Sequence, residues 1–313
     1  AVLVLINPRY FFDSYPKAIQ KASPEQMTKK EKNMTWKIIA DSGCDFREMA
    51  NLAKDTQFES VPLTIQVENE IFIDDKQLDI DLMMEKMYAS SAASKSACPS
   101  PDDYLKSFEG ADKIFVVTIT GTLSGSNNSA QVAKKIFLEE HPDAQIHVID
   151  SLSAGGEVDL LVTKLNELIQ QDLSFDEVVE VISRYQEKTK LLFVLAKVDN
   201  LVKNGRLSKL LGTVVGLLNI RMVGEASKTG TLELLQKARG QKKAIKAAFD
   251  ELLKAGYAGG HITIAHRNNE KFIEQFSELV REKFAQASIE VLPTSGLCSF
   301  YAEEGGLLMG YEI

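Results

Sequence analysis

The sequence predicts an α/β fold in two parts: a parallel sheet with flanking helices, then a smaller mixed α+β domain. Three observations predict it. Strand, polar turn and helix recur at least three times in the first half, the rhythm of a parallel, helix-covered sheet. The texture changes near residue 160, beyond which a hairpin turning at Lys228-Thr229-Gly230 is set among helices. The chain has 313 residues, 44% of them hydrophobic, enough core for one large or two ordinary domains.

Taken in order, residues 1–33 begin apolar and turn polar and proline-punctuated, so they read as an extension. "AVLVLINPRYFF" lacks a basic n-region and a small-residue cleavage site and is not read as a signal peptide. Met34 would open the domain proper. "WKIIADSGCDF" reads as a buried strand, Lys37 to Ala40, ending in an Asp-Ser-Gly turn, with a helix expected in "FREMANLAKD". "FESVPLTIQVEN" alternates and is expected as one strand. A short strand and a helix starting near Asp79 or Asp81 follow. Ser100 before Pro101 is an N-cap with Pro at the first helical position. "KIFVVTI" is a strand that runs into "TGTLSGSNNSA" and a helix. "AQIHVID" is another, followed by a Gly/Ser turn and a helix. Ligands of parallel sheets bind beyond the C-terminal strand ends, and Asp41-Ser42, the 120s and Asp150 to Ser153 all belong to that edge.

The second half reads as a helix capped by Ser174, a strand "LLFVLAKV", and a helix–turn–helix in "DNLVKNGRLSKLLGTVVGLLNI". The apolar "LLGTVVGLLNI" suits a buried core helix or a tunnel wall. After the hairpin come a helix, the strand "HITIAH", another helix, the strand "SIEVLPT" and a last strand in "GGLLMGYEI". The expected divisions are 1–33, 34–160 and 161–313.

Composition excludes several classes. A net charge of -8 argues against a nucleic-acid surface, which needs a clustered basic face. No run approaches the roughly 20 apolar residues of a membrane span. Three widely spaced cysteines fit a reducing, cytoplasmic setting, and the four histidines show no metal-ligand spacing. The Ser/Gly stretch Thr120 to Ala130 lacks the Lys of a P-loop and the spacing of a dinucleotide fingerprint. Thr122 and Ser126 stand where a serine-esterase elbow around Ser124 would need glycines, and no His is at hand as a base. Anion binding at a helix N-terminus and simple capping by Ser124 or Ser126 both stay open.

These motifs together resemble the bacterial DegV family of fatty-acid-binding proteins. The residues that carry the resemblance are "IADSGCDF", "VPLTI", "KSACPS", "TGTLSGSNNSA", "VIDSLSAGGE", "NGRLSKLLGTVVGLLNIRMV" and "KARGQKKAI", seven in order over most of residues 37–245. The resemblance implies a DegV-like fold with a fatty acid in a tunnel between its two α/β domains. It also implies a carboxylate held by hydroxyls at strand ends, and presentation of that carboxylate to a separate fatty acid kinase subunit. Carried over, the head-group residues are Ser96, Ser124 with Gly125 of the same motif, and Arg206, which leaves helix capping to Ser126. No cofactor beyond the lipid ligand and no catalysis by the chain itself are implied. Cys98 stands for the family's usual Gln, Gly121 for a Ser, and Thr294-Ser295-Gly296 lies nearest the late His turn, which is not matched. The rival expectation is a metal-dependent enzyme on a phosphorylated metabolite, with Asp41 and Asp150 holding Mg²⁺.

Overall fold

The computed structural model describes residues 35–207 and 219–313. The extension expected over 1–33 and most of the apolar helix expected over 210–220 lie outside the described residues. Along the chain run β1 (Trp36–Asp41), β2 (Thr56–Val61), β3 (Thr64–Val67), β4 (Glu70–Ile73), α1 (Ile80–Ala89), β5 (Lys95–Ala97) and α2 (Pro101–Phe108). Next come β6 (Lys113–Thr118), α3 (Ser126–Glu140), β7 (Gln145–Asp150), α4 (Gly156–Gln170), α5 (Phe175–Gln186), β8 (Thr189–Leu195) and α6 (Asp199–Lys203). The chain closes with β9 (Ile220–Ala226), β10 (Leu232–Arg239), α7 (Gln241–Lys254), β11 (His261–His266), α8 (Glu270–Lys283), β12 (Ser288–Pro293), α9 (Gly296–Ala302) and β13 (Leu307–Glu312).

The first sheet has the order β2-β1-β6-β7 and is parallel throughout. Its strands are near-continuous apolar runs because both faces are covered. Ile38, Ala40, Phe115 and Val117 point to α4 and α5, while Ile39, Ile114 and Val116 pack with Tyr104, Phe108 and Ala133 of α2 and α3. Local signals start the helices: Ser100 and Ser174 each close a capping box before α2 and α5, and Asp79 caps α1.

The second sheet is mixed, in the order β10-β9-β8-β13-β11-β12, with only β11 and β12 parallel. Helices α7 and α8 cover one face. A small antiparallel sheet, β4-β3-β5, packs its apolar side on the methionines of α1 and on Phe300. Helix α4 touches both larger sheets, and glycine makes that approach close. A Cβ on Gly156 would sit 2.4 Å from the Thr263 carbonyl, and one on Gly310 would sit 2.3 Å from the Gly156 carbonyl. Residue 160, the expected division, falls inside this helix.

Three expectations change. Residues 46–55 form no helix. Their polar groups are used elsewhere: Arg47 binds Asp74 at 2.8 Å, Ala53 N–H donates to Asn166 Oδ1, and the Asn51 carbonyl accepts from Asn166 and Gln170 of α4. Asn51 is also left-handed, at φ 57°. The single strand expected in "FESVPLTIQVEN" is two, β2 and β3, in different sheets. Pro62 has no N–H to offer a ladder, and Leu63 N–H donates instead to Ser42 Oγ. Helix α9, absent from the sequence reading, follows β12.

Candidate functional site

The topological switch of the parallel sheet lies between β1 and β6, where open α/β sheets receive ligands. Here the chain fills it with its own carboxylate. Buried Asp41 accepts from Gly43 N–H at 2.9 Å, from Ile119 N–H at 3.0 and 3.1 Å, and from the Ser126 hydroxyl at 2.5 Å. Burial pushes its carboxyl up to about 6, against the pull of those donors. Asp150 accepts from Gly121 N–H and Leu152 N–H, both at 3.0 Å. The two acids proposed as Mg²⁺ ligands thus fasten loops. Among the described residues no group of three or more His, Cys, Asp or Glu is arranged to hold a metal.

Ser126 is not a cap, contrary to expectation. Gly125 is the N-cap of α3 without a side-chain bond, and the Ser126 hydroxyl turns inward to Asp41 and Tyr104. Ser124 Oγ accepts from Ser126 N–H at 3.3 Å, so a weak capping contact falls to Ser124 instead. The Ser/Gly stretch is also tied to the β9–β10 hairpin. Thr120 donates to the Gly230 carbonyl at 2.9 Å and Thr122 to the Thr229 carbonyl at 2.5 Å. The turn needs its glycine: Gly230 has φ +76°, and a Cβ there would sit 2.1 Å from Thr120 Oγ1.

Between these loops and β8 lies a cavity of about 310 Å³. Ser96, Ser124, Gly125 and Arg206, widely separated in sequence, all line it. Leu191, Phe193 and Leu195 of β8, with Leu297 and Leu308, form much of its apolar wall. Gly125 lets the wall close in, since a Cβ there would lie 2.9 Å from Cys98 Sγ. Among the described residues Arg206 is the one charged side chain lining the cavity. It is half-buried; its Nε donates to the Leu123 carbonyl at 3.3 Å and its Nη1 to the Asn204 carbonyl at 2.5 Å. No carboxylate among the described residues comes within ion-pair distance of it.

The sequence reading missed Tyr301. Its hydroxyl meets Ser96 Oγ at 2.7 Å, and both residues line the cavity. Burial pushes the phenol up, opposed by the Ser96 bond and the Arg206 charge, so at neutral pH it stays a protonated donor. "LCSFYAEEGG" sits where the family's late His turn was sought, but a seven-residue helix has too little periodicity to announce itself. Taken together, the described residues form an apolar-walled cavity with hydroxyls and a single cation, a geometry for an amphiphilic anion with a long apolar part.

Comparisons with known proteins agree with this architecture. A "DegV domain-containing protein" of Streptococcus gordonii is 77% identical over 280 residues, which are 90% of this chain and all of that one. The crystal structure of the Streptococcus pneumoniae Fatty Acid Kinase (Fak) B3 protein loaded with linoleic acid is similar at 76% identity and TM-score 0.89. It covers 90% of this chain and 100% of its own. That of a DegV family protein from Eubacterium eligens loaded with heptadecanoic acid is similar at 38% identity and TM-score 0.85, covering 89% and 99%. Residues 35–311 match the family model described as "Uncharacterised protein, DegV family". With a match running from the first described strand to the last, this chain belongs to the DegV family.

Proposed function

We propose that this chain binds a long-chain fatty acid in the 310 Å³ cavity and carries it, without catalysis of its own. The carboxylate is bound by the Ser96 and Ser124 hydroxyls, by the Gly125 N–H and by Arg206. The tail lies along Leu191, Phe193 and Leu195. The observation that carries this reading is Arg206, a guanidinium without a carboxylate partner among the described residues, at the edge of a cavity walled by apolar side chains. Among the described residues its nitrogens meet only the Leu123 and Asn204 carbonyls, which leave its charge unneutralised and suited to an anion from outside.

Energetics divide the labour. Each methylene moved from water contributes about 0.8 kcal/mol, so a chain of about 16 carbons gains on the order of 12 kcal/mol before the entropy of association is subtracted. Charge-assisted bonds at the head add about 1.5–3 kcal/mol each and set orientation. The chain serves in the cytoplasm, and a head group held mainly by neutral hydroxyls is suited to presentation to a separate fatty acid kinase subunit. The similarity to the pneumococcal Fak B3 protein supports that partner. In this reading the cavity separates the parallel-sheet domain, 34–160, from the second domain, 161–313. The test is organic extraction of purified protein followed by mass spectrometry. A bound fatty acid is expected; none found, with no uptake of added oleate or palmitate, refutes the proposal. Pull-down with a kinase subunit checks presentation.

A further inference from the structure

The polar end of the cavity is assembled from four chain segments: β5 with Ser96, the β6–α3 loop with Ser124, the turn after α6 with Arg206, and α9 with Tyr301. Nothing in sequence distance holds them together. Asn204 ties the Arg206 turn to β5 from behind, where it is half-buried and does not line the cavity. Its Nδ2 donates to the Ser94 carbonyl at 3.1 Å, two residues before Ser96, and to the Asn200 carbonyl at 2.9 Å. Its main-chain carbonyl accepts from Arg206 Nη1, and Arg206 Nε donates to the Leu123 carbonyl, next to Ser124. One turn earlier in α6, Asn200 Nδ2 donates to the Phe300 carbonyl at 2.8 Å, and Asn200 N–H donates to Glu303 Oε1 at 3.1 Å. These bonds fix the residues on either side of Tyr301.

Strain marks the same place. Glu303, which ends α9, has φ 54° and ψ −174°, a conformation essentially reserved for glycine. It is nearly fully buried. A side chain held there persists only where its surroundings over-determine it, and such positions cluster at ligand clamps.

We infer that Asn204 is a positioning residue for head-group recognition. Its amide fixes the Arg206 turn against β5, so that the guanidinium and the Ser96 hydroxyl converge on one carboxylate. This rests on the fatty-acid reading above and assigns its charge selectivity to a residue that does not touch the ligand. The side chain must be a donor, because it faces two carbonyls; Asn204→Asp would turn acceptor against acceptor.

The experiment uses the full chain, freed of lipid, titrated with myristate and with tetradecanol. Wild type is expected to prefer the acid. In Asn204→Asp and Asn204→Ala the acid should weaken about tenfold while the alcohol is unchanged, so the acid-to-alcohol ratio collapses. Asn204→Gln keeps the amide but displaces it by one methylene, and serves if the other two fail to fold; its ratio should fall as well. A purely structural role would lower the melting temperature and weaken both ligands together. A wild-type ratio in the folded variants overturns the inference and leaves the fatty-acid reading standing. A wild type that binds neither ligand, or prefers the alcohol, overturns both.

Discussion

Gly230→Ala tests the link between the hairpin and the Ser/Gly loop. The turn residue has φ +76°, and the new methyl would lie 2.1 Å from Thr120 Oγ1. A left-handed alanine costs about 1–2 kcal/mol. The clash also drives the turn off the loop, losing the bonds from Thr120 and Thr122 to the hairpin carbonyls at about 1 kcal/mol each. The expected loss is therefore about 3–4 kcal/mol. Gly110→Ala is the control: its φ is +78°, with nothing within 4 Å of the added Cβ, so only the backbone cost of about 1–2 kcal/mol applies. Urea unfolding of both variants measures the difference. Ala226, Gly230 and Leu232 line the cavity, so fatty-acid titration should show weaker binding in Gly230→Ala alone. Equal destabilisation of the two variants, with binding unchanged in both, would refute the reasoning.

Arg206→Ala should weaken binding of a fatty acid by about 1.5–3 kcal/mol, and leave the corresponding alcohol unaffected, in calorimetric titration; equal losses for both would remove Arg206 from the head group. Ser96→Ala and Ser124→Ala should each cost about 1.5–3 kcal/mol of affinity, since each hydroxyl donates to an ionised carboxylate, and an unaffected double variant would move the carboxylate elsewhere. Glu157 is buried, accepts from Thr189 at 2.8 Å, and is pushed by burial from its ordinary 4.5 up to about 7. The folded state therefore holds this proton more tightly than the unfolded one, and stability falls as pH rises from about 4.5 through about 7. Glu157→Gln removes that slope, with a gain over wild type of up to about 3 kcal/mol at pH 8 and little at pH 4. Urea titrations at the two pH values check it, and a gap that does not change with pH counts against it.

The parts of the fold legible in the sequence are those that local chemistry decides. The Ser100-Pro101 and Ser174 starts need only their own next three residues, and each closes a capping box. The parallel strands announce themselves because both faces of the sheet are covered. The failures are non-local. Residues 46–55 carry a helix-like pattern, but Asn166 and Asp74, distant in sequence, claim their hydrogen bonds. Ser126 has the side chain of a cap, and Asp41, 85 residues away, takes it. At the site, spacing alone left capping and anion binding open. The resemblance singled out Ser96, Ser124, Gly125 and Arg206, which the fold brings to one cavity. Tyr301 and Asn204 were not singled out: one sits in a single short helix, and the other, though inside the Asn-Gly-Arg motif, has a side chain that bonds main-chain carbonyls.

Asp41 has a consequence for where this architecture keeps its cargo. In a doubly wound sheet the crevice between diverging strands is the natural berth for a phosphate. Here that berth is occupied by an internal anion, which engages the Gly43 and Ile119 N–H groups and the Ser126 hydroxyl. In the proposed reading a guest lodges beside it, in the cavity that β8 of the neighbouring sheet walls. That displacement trades a polar pit for a greasy wall, so a nucleotide-type scaffold becomes a host for molecules made mostly of hydrocarbon. It also means that converting this chain into a phosphate binder would begin with evicting Asp41.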